Sequence, residues 1–139
     1  MKKILIVLLL LTYAVIAENV ARVKSVKGEV LVKRNKKIIT LKVGSKLYES
    51  DLVITKKSSS VGITFEDGTR ISLGAKSMFS IKRFVVNPVK KDYNVDVSLL
   101  KGKASFSSGK VGKLAPESVK FRIPNGIIGI RGTHFMVEV

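Results

Sequence analysis

The chain has 139 residues, 45% of them hydrophobic, and carries 26 Lys and Arg against 10 Asp and Glu, a formal net charge of +16, with one His and no Cys or Trp. Such a length fits one small domain, and the apolar fraction argues for a folded core despite the charge. Without cysteine there is no disulfide framework, thiolate zinc site, iron–sulfur cluster or cysteine nucleophile, and a lone histidine leaves little room for metal-centre or triad chemistry. At the start of the chain, Met1-Lys2-Lys3 places two positive charges ahead of an apolar run from Ile4 to Leu11 that continues to Ala17, before the polar Glu18-Asn19. This is the outline of a secretory signal peptide, residues 1–17, expected as a helix. Val15 and Ala17 occupy the small-residue positions a signal peptidase reads, so cleavage is expected after Ala17. As an uncleaved anchor, a helix over residues 4–17 reaches only about 21 Å, short of a hydrocarbon core of roughly 30 Å. No cysteine follows to carry a lipid, and no later segment has the length and hydropathy of a membrane span. The expected mature domain, residues 18–139, is periplasmic or secreted and stays strongly basic after loss of Lys2 and Lys3.

Beyond residue 18 the hydropathy pattern has period two, which means β-strands. Strands are expected near 20–26, 29–34, 37–41, 51–55, 60–66, 70–74, 78–86, 93–100, 103–107, 118–123 and 127–139, the last broken at Gly132. Asp67-Gly68, between Val61-Ile63-Phe65 and Ile71-Leu73, is the strongest hairpin signal and reads as a two-residue type I′ turn; Asn125-Gly126 is a second expected structural turn. On strand 93–99, Tyr93, Val95, Val97 and Leu99 take one face, and Asp92, Asn94, Asp96 and Ser98 the other, wet one. Residues 87–92 and 108–118 read as exposed loops, and no helix is expected after the leader. The fold class is therefore all-β: a single-domain β-sandwich or roll of short antiparallel strands and hairpins, with a short β-solenoid as the alternative.

In order and spacing, these stretches resemble the FecR-type domain of bacterial envelope proteins, here in a stand-alone secreted form. The resemblance is carried by Gly28-Glu29-Val30, Val43-Gly44, Asp51-Leu52-Val53-Ile54-Thr55, the core run from Val61 to Gly74 around Asp67-Gly68-Thr69, Leu99-Leu100-Lys101-Gly102-Lys103-Ala104, and Ile130-Arg131-Gly132-Thr133-His134-Phe135. The resemblance implies a β-rich extracytoplasmic domain that acts by protein contact or ligand sensing and not by catalysis. In the best-known members the domain follows a cytoplasmic anti-sigma segment and one membrane span, and it relays the state of an outer-membrane ferric-citrate receptor. A departure from that arrangement is expected, with no cytoplasmic segment or retained span, and, since the family pattern usually continues beyond the stretch that ends at Glu138-Val139 into another hairpin, an open sheet edge is expected there.

Several residue sets imitate chemistry. Arg131-Gly132-Thr133 is a candidate anion site, because a guanidinium on a Gly-flanked turn can grip a carboxylate or phosphate bidentately while backbone N–H groups assist; a structural arginine closing the sheet is the plain alternative. His134 lacks the partners zinc needs and reads as an outward strand residue. Asp92, Asn94 and Asp96 imitate an EF-hand start, but Val97 and Lys103 occupy the positions that need Gly and Glu. Gly112-Lys113 lacks the earlier Gly and the following Ser or Thr of a phosphate loop, and Gly126, Gly129 and Gly132 miss the dinucleotide spacing. Glu66 and Asp67 are adjacent carboxylates expected to be solvated on a hairpin tip. No catalytic, cofactor-binding or metal-ligating residue is expected, and the chain is expected not to be an enzyme. The dispersed lysines and scarce aromatics argue against sequence-specific nucleic-acid binding.

Two functions follow as expectations. The first is a non-catalytic binding, scaffolding or signalling module of the bacterial envelope, meeting an envelope protein or a second copy through an open sheet edge, with anionic envelope polymers as further partners for its charge. The second is a sensor of an anionic small molecule, ferric citrate or the like, or of an envelope glycan, centred on Arg131.

Overall fold

The computed structural model describes residues 18–130 and 134–139; the expected signal peptide and the Arg131-Gly132-Thr133 triplet lie outside the described residues. Period-two patterning builds thirteen strands: β1 (Ala21–Lys27), β2 (Val30–Arg34), β3 (Lys37–Thr40), β4 (Lys46–Leu47), β5 (Leu52–Thr55), β6 (Ser60–Phe65), β7 (Arg70–Leu73), β8 (Met78–Asn87), β9 (Asp92–Lys101), β10 (Lys103–Ser107), β11 (Val119–Ile123), β12 (Gly126–Ile128) and β13 (His134–Glu138). They form a six-stranded sheet in the order β13-β10-β7-β6-β1-β4 and a seven-stranded sheet in the order β12-β11-β9-β8-β5-β2-β3. The chain crosses repeatedly from one sheet to the other, and the sheets do not close into a barrel. One crossing is at Gly28, whose φ of +71 only glycine takes without strain.

The inward rows of both sheets share one core. Val23, Ile63, Ile71, Leu73 and Phe106 from the six-stranded sheet meet Val32, Val53, Phe79, Ile81, Val97, Leu99 and Phe121 from the seven-stranded one. Phe121 stands edge-on to Phe106 at 5.8 Å and to Phe135 at 5.2 Å, while Phe65 stacks on Phe84 at 4.4 Å, so aromatic rings bridge the sheets at two places. This two-sheet, all-β arrangement agrees with the sandwich. The solenoid alternative is overturned: the strand pairings among the described residues are antiparallel except that of β9 with β11, whereas a solenoid stacks parallel strands.

Three local expectations are corrected. The β6–β7 connection is not a two-residue type I′ turn. Phe65 N donates to Thr69 O, Gly68 N donates to Phe65 O, and only Gly68 takes a positive φ, +89. That is a three-residue loop, Glu66-Asp67-Gly68, in which one left-handed residue restores the strand twist. The segment 108–118 is not plain loop. It holds a helix, α1 (Lys110–Leu114), and a 3-10 turn over Pro116–Ser118 that together bury Val111 and Ala115. Finally, Ile123 pairs with Gly126, so Pro124 and Asn125 are the turn residues and Gly126 opens β12, which ends at Ile128; β13 starts at His134, and the break expected at Gly132 lies outside the described residues.

Candidate interaction surfaces

Two buried carboxylates hold loops to the sandwich. Asp67, expected on a solvated tip, is only 8% exposed. Its carboxylate accepts from Thr69 N at 2.9 Å, Thr69 Oγ1 at 2.9 Å and Val111 N at 3.1 Å, and its carbonyl accepts from Lys110 N. Thr69 Oγ1 accepts from Gly109 N, so the hairpin supplies acceptors for the orphan N–H groups at the start of α1. Glu66 is exposed, so the adjacent carboxylates do not share an environment. Asp51, fully buried, takes a bidentate grip from Arg34 at 2.8 and 2.7 Å and a third bond from Tyr48 N at 2.8 Å. The Arg34 guanidinium lies 4.6 Å above the Tyr48 ring, and its hydrogen bond to Asp51 holds its pKa above the usual value. Each carboxylate accepts three hydrogen bonds from the protein's own donors and so serves to anchor a loop.

Asp96 is likewise engaged. Arg122, on the neighbouring parallel strand, donates to it at 2.8 and 3.2 Å, and that hydrogen bond lowers the Asp96 pKa while raising that of Arg122. Asp92 and Asn94 remain exposed on the same face. His134 is exposed on β13, and among the described residues no group of three His, Cys, Asp or Glu could hold a metal ion. Gly112 and Lys113 sit inside α1, where Gly112 lies close over the Ser108 side chain, a packing reason for glycine unrelated to phosphate. Asn125 and Gly126 lie exposed at the β11–β12 turn, apart from the Asp67-Gly68 loop.

What the sandwich leaves open are sheet edges. Among the described residues β13 pairs only with β10. Val139 N donates to Gly102 O in the register that pairs Val137 with Ala104, so the alternation of an antiparallel ladder turns the N–H and C=O groups of His134, Met136 and Glu138 away from the sheet. Phe135 and Val137 pack on the core, while Met136 stands 79% exposed. Beside it, Ser72, Gly74 and Ser105 are too small to fill the sheet surface, and a mainly apolar hollow of about 500 Å³ results. The sequence carried a signal for this: in the alternation of Phe135 and Val137 with His134, Met136 and Glu138, the outward row is polar except at Met136. On the same outer face, cross-strand register aligns Lys46, Arg22, Thr64, Arg70, Ser107 and His134 in one row across the sheet, with no carboxylate in it.

Among the described residues no helix is long and apolar enough to cross a membrane. Comparison with curated proteins and with solved structures returned no match for the chain. Comparison with family models matched residues 51–139 to the FecR protein family. That stretch takes in β5 to β13, and with them the Asp51 anchor, the Asp67-Gly68 loop and the β13 edge. Well over half of the chain matches this one model, and the chain belongs to the FecR protein family.

Proposed function

We propose that the chain is a non-catalytic docking module of the bacterial envelope, exported by its leader, that takes an extended segment of a partner protein onto the free edge of β13. The observation that carries this reading is that edge itself: outward N–H and C=O groups at His134, Met136 and Glu138, beside an exposed methionine and a hollow floored by small side chains. Main-chain hydrogen bonds then supply affinity, and the hollow reads one side chain of the added strand. The FecR family is one of signalling and regulatory domains associated with the envelope, which supports contact as the mode of action. A photo-crosslinking residue at position 134, expressed in the producing bacterium, is expected to give a discrete adduct with an envelope protein. In Met136→Pro, which removes an outward N–H without touching the β10 ladder, that adduct is expected to vanish while circular dichroism is unchanged. No adduct, or one indifferent to the proline, rejects the edge.

The row of Lys46, Arg22 and Arg70 favours a second reading, in which an anionic envelope polymer lies across the six-stranded sheet. Calorimetry with polygalacturonate and with citrate separates the two: a polymer site gives saturable heat that is lost in Arg22→Ala/Arg70→Ala, a small-anion site gives heat with citrate lost in Arg131→Ala, and no heat with either probe leaves protein contact alone.

A further inference from the structure

A second surface, separate from the β13 edge, lies on the outer face of the seven-stranded sheet. Strands that are wet on one face alternate, yet Val30-Leu31-Val32, Ile38-Ile39 and Leu52-Val53-Ile54 are unbroken apolar runs of the kind found in strands covered on both sides. Val30, Val32 and Val53 fill the core. Their neighbours Leu31, Leu52 and Ile54 therefore point outward, where they are only partly covered. Register brings them together. Met78, Ile54, Leu31 and Thr40 pair in sequence across β8, β5, β2 and β3, and Ser98, Ser80, Leu52, Lys33 and Ile38 form the next row. Leu100, the extra residue of a bulge opposite Met78 and Phe79, extends the strip onto β9 at 48% exposure, and Ile38 closes the other end at 67%.

The strip is two apolar residues wide on β5, where Leu52 and Ile54 stand, and one wide on the strands to either side, and it runs across five strands, β3 to β9, which at about 4.8 Å per strand gives roughly 19 Å. Those proportions suit the narrow apolar stripe of an α-helix of about 13 residues; a second sheet would need a patch broad in both directions. The charges around it have one dominant sign. Lys33 and Lys101 stand in the rows, Lys82 is the next residue but one along β8 from Ser80, and Lys56 follows β5, against Glu29 as the acidic neighbour at that end and Asp96, two residues along β9 from Ser98, which is already held by Arg122. Two copies meeting face to face would bring these lysines together, which disfavours a homodimer there. We infer that this face docks an amphipathic helix of a partner protein whose apolar stripe is flanked by Asp and Glu.

The test uses the purified chain and three labelled 14-residue helical peptides: one with a Leu stripe flanked by Glu, one with the same stripe flanked by Lys, and one with the Glu peptide's composition scrambled. Fluorescence anisotropy is expected to give saturable binding of the Glu-flanked helix alone. At least tenfold weakening is expected in Ile54→Lys and in the strand-compatible Leu52→Thr/Ile54→Thr, both checked for native circular dichroism, and no change in Met136→Pro, which separates this surface from the β13 edge. Absence of saturable binding, equal binding of the Lys-flanked helix, or indifference to Leu52→Thr/Ile54→Thr overturns the inference. So does a dimer in light scattering that Ile54→Lys dissolves, which assigns the face to a second copy. Flotation with phosphatidylglycerol vesicles that Ile54→Lys abolishes assigns it to a lipid surface and also overturns it.

Discussion

Gly68 and Gly102 separate two costs that a glycine can avert. At Gly68, φ is +89 and an added Cβ would meet nothing within 4 Å, so Gly68→Ala carries only the strain of a left-handed backbone, about 1 kcal/mol. At Gly102, φ is +93 and the Cβ would lie 2.6 Å from the Ser77 Cα, a backbone neighbour that cannot swing aside. Ser77 is itself held there, since its Oγ accepts from Lys103 N at 3.0 Å. Strain and overpacking then add, and Gly102→Ala is expected to cost roughly 2 to 4 kcal/mol. Urea unfolding followed by circular dichroism checks the order; equal midpoints for the two variants would contradict it. The Gly68 cost was legible in the sequence and the Gly102 cost was not. Asp67-Gly68 announced a turn, but the burial of Asp67 depends on Val111, 44 positions away, and no local pattern encodes a contact at that distance.

At the level of elements, alternation revealed most of the strands because one face of each is fixed by the core, and a residue's parity then states its side. It failed where an element is too short to repeat its own period. β4 has two residues and α1 five, less than two turns, so neither displays a repeat to read. It also gave no hint that β11 lies parallel to β9, a pairing that the Arg122–Asp96 bridge ties from outside the core. That bridge has a pH signature. The folded-state pKa of Asp96 is lowered by its hydrogen bond to Arg122, so the stabilisation is present above the ordinary carboxylate value and is lost as pH falls through the lowered one. In Arg122→Gln the wild-type advantage measured at pH 6 is expected to shrink as pH is taken below that of a free aspartate. A gap between the two proteins that is constant from pH 6 to strongly acidic conditions would show that the ion pair has no part in it.

For the molecule as a whole, charge sets the balance. The sequence carries a formal net charge of +16, and the described residues contain three ion pairs: Arg34–Asp51, Lys103–Glu138 and Arg122–Asp96. The first is largely shielded from solvent by burial of Asp51, and the second, at 3.8 Å between exposed side chains, contributes little. Most lysines therefore face other lysines across water, and compaction of the chain raises their mutual repulsion. Added salt acts on such long-range repulsion more strongly than on short buried pairs, because the screening length falls from about 30 Å at 0.01 M to about 8 Å at 0.15 M. Sodium chloride over roughly that range is expected to raise the melting temperature by a few degrees. A fold held mainly by surface ion pairs would respond with the opposite sign. A melting temperature that falls with salt would mean that attractive pairs outweigh the net charge, and that the lysine-rich skin is matched, locally, by carboxylates. The same screening bears on docking: if basic rims recruit acid-flanked partners, salt that stabilises the free protein must weaken its complexes, so the two effects are expected to run in opposite directions in one titration.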